Sequence, residues 1–114
     1  MADCLFCRIV SGDIESNVVH QDDTVVAFRD INPQSPTHIV IVPRKHIPSL
    51  SDLADVDDGI VGHLVRIAAE IARTEGIAEQ GYRLVANCGP AAGQSVDHLH
   101  FHLLGGRNLS WPPG

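Results

Sequence analysis

The stretch "DHLHFHLLGG" (97–106) sets His98, His100 and His102 at every second position of a short apolar run. In an extended chain side chains alternate between faces at ~3.3 Å per residue, so the three imidazoles share one face and Leu99, Phe101 and Leu103 share the other. One face builds core; the other is left for solvent, a metal or a reaction. Alternate histidines on a strand can present ligands to one zinc ion. The segment just upstream, "CGPAAGQS" (88–95), suits an anion instead, because its glycines let backbone N–H groups approach a phosphate and form a concave nest. An imidazole whose Nδ1–H is held by a carbonyl presents a lone pair on Nε2 and, near its ordinary pKa of ~6.5, is largely neutral at pH 7. Such a ring is a nucleophile toward phosphorus, and flanking histidines can hold the phosphoryl oxygens or fix the central ring.

The neighbouring segments supply a sheet for this strand. "SNVVHQDDTVVAFRD" (16–30) places β-branched runs either side of "QDD", which predicts a hairpin with strands near 17–20 and 24–29. Thr37 to Val42, closed by Pro43, predicts a third strand, with His38, Val40 and Val42 on one face and Ile39 and Ile41 on the other. Residues 55–75 change period. Ile60, Leu64, Ile67 and Ile71 recur at three-to-four spacing and predict the one long helix, with Asp55, Asp57 and Asp58 at its positive end and Gly76 as its stop. His63 falls off the apolar stripe and is expected to be a solvated helix residue. "YRLVAN" (82–87) and "HLHFHLL" (98–104) predict the last two strands. The fold class is therefore α+β, a mainly antiparallel sheet of about five strands with one long helix.

A chain of 114 residues has the size of one domain, 1–114. Its 44% hydrophobic and 19% charged residues are ordinary for a globular protein, and no apolar run approaches the ~20 residues of a membrane span. The net charge of −6 disfavours a nucleic-acid polymer as partner, since phosphate backbones are held by clustered Lys and Arg. "MADCLFCRIV" (1–10) does not have the basic start of a signal peptide, and a cytoplasmic location is expected, with no membrane partner. Cys4 and Cys7 read as half of a metal site rather than a disulfide; Cys88 reads as a core or loop thiol.

The row of histidines followed by Leu103 and Leu104, with "DINPQSPTHIVIVPRKHI", "YRLVANCGPAAGQSVDHLHFHLLGGR" and the ending "WPPG", resembles the histidine triad (HIT) family across nearly the whole chain, in particular its nucleotide-binding branch of purine nucleoside phosphoramidase type. The resemblance implies a HIT-like fold and hydrolysis at the α-phosphate of a purine nucleotide, through a nucleotidyl-histidine intermediate, releasing AMP or GMP. By matching positions His100 is the nucleophile. His102, Asn87, Ser95, Gln94 and the backbone around Gly93 hold the phosphate, with Ser95 near the leaving group, and His38 orients the row from behind. Asp30 takes the ribose hydroxyls, while Phe6, Ile9, Phe28 and Ile31 form the slot for the base.

The "CLFC" pair is absent from some members of the family. Members that carry it resemble a Cys2His2 arrangement, which here names Cys4, Cys7, His46 and His98 as ligands of a structural zinc. His98 is then tied to metal while His100 stays free to attack, and no cofactor is required for catalysis. The same resemblance implies that the tail, about 105–114, crosses the interface of a symmetric homodimer and brings Trp111 to the neighbour's site. Two other readings stand beside this one: a dinucleoside polyphosphate hydrolase of the same family, and a non-catalytic AMP-binding sensor or interaction protein. Transfer of nucleotides to sugars is disfavoured, because that branch has glutamine where this chain has His102. A plain zinc module would leave Asn87 and Asp30 without a role.

Overall fold

The computed structural model of the protein describes residues 3–114. Strands β1 (Val18–Gln21), β2 (Val25–Arg29), β3 (Thr37–Pro43), β4 (Tyr82–Ala86) and β5 (Phe101–Gly105) form one antiparallel sheet in the order β1-β2-β3-β5-β4. The helices are α1 (Leu5–Ser11) and α2 (Asp58–Thr74). β3 lies at the centre and is buried along its whole length, which is why its sequence is apolar on both faces.

Alternation along the strands divides the core in two. Val25, Ala27, Ile39, Ile41 and Leu103 face Leu64, Ile67, Ala68, Ile71 and Ala72 of α2. On the opposite face Val26, Phe28, Val40 and Val42 pack around Phe6 of α1. The register Val40↔His102 puts the even-numbered residues of β5 on the α1 side, so the histidines stand under the short helix and not the long one.

Three expectations are corrected. The α1 helix was not expected: at seven residues it is too short to show a period, and a side chain holds its start, Cys4 Sγ accepting the Cys7 N–H at 3.3 Å. The expected strand 98–104 begins only at Phe101, because the Leu99 amide is taken by the Ile47 carbonyl at 2.6 Å, outside the β3 ladder. The helix expected over 55–75 opens with a 3-10 turn, Asp55–Asp57, before α2 proper. Asp57 there is buried and accepts from Lys45 Nζ at 2.6 Å, which ties the start of α2 to the end of β3.

His63 is the fourth correction. Its Nε2 lies 2.8 Å from Asp22 Oδ2, the same oxygen that His20 Nε2 reaches at 2.7 Å, and Asp22 Oδ1 accepts the amides of Thr24 and Val25. The helix is thereby pinned to the β1–β2 turn. No helix among the described residues is long and apolar enough to cross a membrane.

Candidate active site

His98, His100 and His102 occupy three different settings, and the partner of one nitrogen on each ring fixes the role of the other. The fully buried His98 donates from Nε2 to the Pro43 carbonyl at 2.9 Å, which leaves a lone pair on Nδ1. That Nδ1 faces Cys4 Sγ at 3.3 Å, Cys7 Sγ at 3.5 Å and His46 Nδ1 at 3.2 Å.

His100 donates from Nδ1 to the His98 carbonyl at 2.7 Å. Its Nε2 is then the unprotonated nitrogen of the neutral ring. Phe6 holds the ring edge to face, with centroids 4.9 Å apart.

For His102 the orientation comes through a second histidine. The Gln34 amide donates to His38 Nδ1 at 3.0 Å, so the neutral His38 carries its proton on Nε2, 2.9 Å from His102 Nδ1. His102 receives at Nδ1 and must carry its own proton on Nε2. Burial lowers the pKa of His38, and burial followed by the neighbouring His100 and His38 lowers that of His102 to about 4, so both rings are neutral at pH 7. The row thus offers a lone pair from His100 beside an N–H donor from His102.

Both rings line a cavity of about 280 Å³ whose other walls include Phe6, Ile9, Phe28 and Ile31, with Asp30 and Ser95 at its polar parts. The residues assigned to the base slot and the ribose are brought together here with His100 and, of those assigned to the phosphate, His102 and Ser95. Ser95 also borders a second, wider depression beside Cys4, His46 and Asp97. Leu5 and Ile14 add apolar wall that sequence reasoning missed, since both belong to the unforeseen α1 and the turn after it.

Asn87 opens the loop that follows β4, Gly93 lies at its middle after the 3-10 turn Pro90–Ala92, and neither lines the cavity. The Gln94 side chain is not a cavity group either: its Oε1 accepts the Gly89 amide at 2.9 Å, and its Nε2 donates to Pro48 at 2.8 Å and Val96 at 3.0 Å. Gln94 braces the loop from within. Trp111 is 82% exposed and lies outside the cavity, on a tail whose Leu109 and Ser110 carbonyls accept from Arg83.

Cys4, Cys7, His46 and His98 converge, their donor atoms all within 4.8 Å of one another. A tetrahedral zinc with thiolates at ~2.3 Å and imidazoles at ~2.0 Å would separate its nitrogens by ~3.3 Å and a sulfur–nitrogen pair by ~3.5 Å. The observed spacings of 3.2 Å and 3.3–3.5 Å fit that donor set.

The HIT domain pattern matches residues 11–109. The chain is similar to the purine nucleoside phosphoramidase of Escherichia coli strain K12, with 50% identity over 105 residues that cover 92% of this chain and 88% of the other. An uncharacterized HIT-like protein of Synechococcus elongatus is 46% identical over 112 residues, 98% of this chain and 97% of its own. Among solved structures, a HIT family hydrolase from Legionella pneumophila Philadelphia 1 superimposes with a TM-score of 0.97 at 48% identity, covering 98% of this chain and all of that one. A histidine triad protein from Clostridium difficile gives 0.93 at 44% identity, covering 96% of each.

Proposed function

The chain belongs to the HIT family and is a hydrolase, and from that premise we propose that it cleaves purine nucleoside phosphoramidates or related adenylyl conjugates at the α-phosphorus, releasing AMP or GMP. The observation that carries the reading is the 2.7 Å bond from His100 Nδ1–H to the His98 carbonyl, which leaves on Nε2 the lone pair a nucleophile needs. The name of the Escherichia coli relative, half identical over most of this chain, supports the substrate class.

In the first step Nε2 of His100 forms a bond to phosphorus while the bond from phosphorus to the leaving amine or alcohol breaks, and the leaving group departs on the Ser95 side, taking a proton from solvent. In the second, a water oxygen bonds to phosphorus, the P–N bond to His100 breaks, and the water's proton is released. Charge builds on the phosphoryl oxygens in both steps, and the Nε2–H of His102 is the donor available to them. Asp30 suits the ribose hydroxyls, having two acceptor oxygens beside an apolar slot.

We extend the proposal to a structural zinc on Cys4, Cys7, His46 and His98. When bound, it supplies a cross-link between α1, the segment after β3 and the approach to β5, and takes no part in bond making. A homodimer belongs to the same reading: β4 is an open sheet edge, and Tyr82 on it and Trp111 on the tail are both exposed.

The test is single-turnover hydrolysis of an adenosine phosphoramidate by wild type and His100→Ala. Covalent AMP on the wild-type protein, with turnover, and binding without either in the variant is the expected result. If wild type binds AMP and neither labels nor turns over, the histidine row is a recognition surface and the protein a sensor.

A further inference from the structure

Asp30, His38 and His102 form a second group of potential ligands, but the Gln34 amide takes the Nδ1 lone pair of His38. The Nε2 that would have to bind a cation therefore carries the ring proton. That proton has two acceptors within reach, His102 Nδ1 at 2.9 Å and Asp30 Oδ2 at 3.4 Å. The second distance lies beyond an ordinary hydrogen bond, so Asp30 pulls on the proton without holding it.

The backbone fixes Asp30 in this relation. Its amide donates to the His38 carbonyl at 3.0 Å, and its Oδ1 accepts the Asn32 amide at 2.8 Å. Oδ2 is the oxygen left over, and Asp30 borders the cavity that His102 also lines. Hydroxyl groups donated to Oδ2 would draw it away from His38, and the Nε2–H of His38 would then belong wholly to His102.

We propose that Asp30 is a positioning residue as well as a sugar holder: ribose hydroxyls that occupy its Oδ2 release the His38 proton to His102 Nδ1 and so fix the N–H that His102 directs at the phosphoryl group. This rests on the nucleotide reading above and adds a consequence to it. The sugar is sensed in the rate of phosphoryl transfer, not only in binding, and a nucleotide without vicinal hydroxyls binds to a site whose donor is incompletely set.

Two measurements on the full chain test this. Single-turnover rates at saturation are compared for adenosine 5′-phosphoramidate and its 2′,3′-dideoxy analogue in wild type and Asp30→Asn. In parallel, 15N-histidine spectra of wild type are recorded with AMP and with dideoxy-AMP. The dideoxy substrate is expected to react at least about tenfold more slowly at saturation in wild type, with the two substrates converging in Asp30→Asn. Both ligands bring a phosphate to His102 Nε2–H, and AMP is expected to shift the His102 Nδ1 resonance further than dideoxy-AMP does. Equal saturating rates in wild type, with a difference confined to affinity, would overturn the inference and leave Asp30 a sugar holder alone. If neither AMP nor dideoxy-AMP binds, the nucleotide reading itself falls; because the decisive comparison is between substrates of wild type, misfolding of Asp30→Asn does not remove it.

Discussion

His46 Nδ1 and His98 Nδ1 lie 3.2 Å apart with the sulfurs of Cys4 and Cys7 beside them, although the ring proton of His98 is spent on the opposite nitrogen. Two thiols and two imidazole nitrogens gathered in this way are a donor set that would suit the proposed zinc ion. One zinc per chain is expected by elemental analysis of protein purified without added metal. Cys7→Ser should lose it and lower the thermal midpoint by roughly 10 °C, since metal binding energy is folding energy at such sites. Metal content unchanged by the substitution would count against the site.

Stability should fall as the solution is acidified from neutral. Burial holds His102 down to about 4 and lowers His38 as well, while both titrate near ~6.5 when unfolded. Between those values the unfolded chain binds more protons, so the native state's advantage is complete above about pH 6.5 and is lost progressively toward pH 4. Allowing for partial solvent screening, a loss on the order of 2 kcal/mol is expected. Urea midpoints measured from pH 7 to pH 4.5 check this, and His102→Gln should flatten the slope.

Asp22→Asn should cost about 1–3 kcal/mol in urea unfolding. Desolvation raises the pKa of this carboxyl, but bonds from His20, His63 and the Val25 and Thr24 amides outweigh it and hold the group below the usual carboxylate range. The amide cannot accept from both rings and both backbone groups as the carboxylate does. A loss under about 0.3 kcal/mol would show that the histidines do not fasten α2 to the hairpin.

Gly105→Ala should destabilise by about 1–3 kcal/mol, because a Cβ there would stand 2.6 Å from Ile77 Cδ1. Ile77→Val removes that methyl and should return part of the loss, a coupling that a double-mutant cycle reads directly. Gly106→Ala has no such remedy: the backbone has φ +90° and the new Cβ would meet the Pro36 ring at 2.9 Å.

Much of this arrangement was legible in the sequence, because alternation and burial coincide. The β2 and β3 strands read correctly since odd and even positions serve two separate cores, and α2 read correctly since its stripe meets only one of them. The convergence of Phe6, Phe28, Asp30, His100 and His102 on one cavity followed from the family pattern. What escaped were contacts that leave no period. His63 owes its role to Asp22, 41 positions earlier; α1 is seven residues held by a thiol cap; Gln94 looks like a ligand in a glycine loop and proves to be its brace.

The group that orients His100 is a main-chain oxygen. No codon change can delete a carbonyl, so the hydrogen bond that aims Nε2 of His100, the nucleophile of the proposed reaction, is inherited with the path of the backbone, while Phe6 adds packing against the ring. Redesign of the leaving-group side can therefore proceed by ordinary substitution without removing the bond that orients this nitrogen, whereas Phe6 in the base slot has to keep its packing against the ring. Changes that bend the main chain between His98 and His100 put that bond at risk.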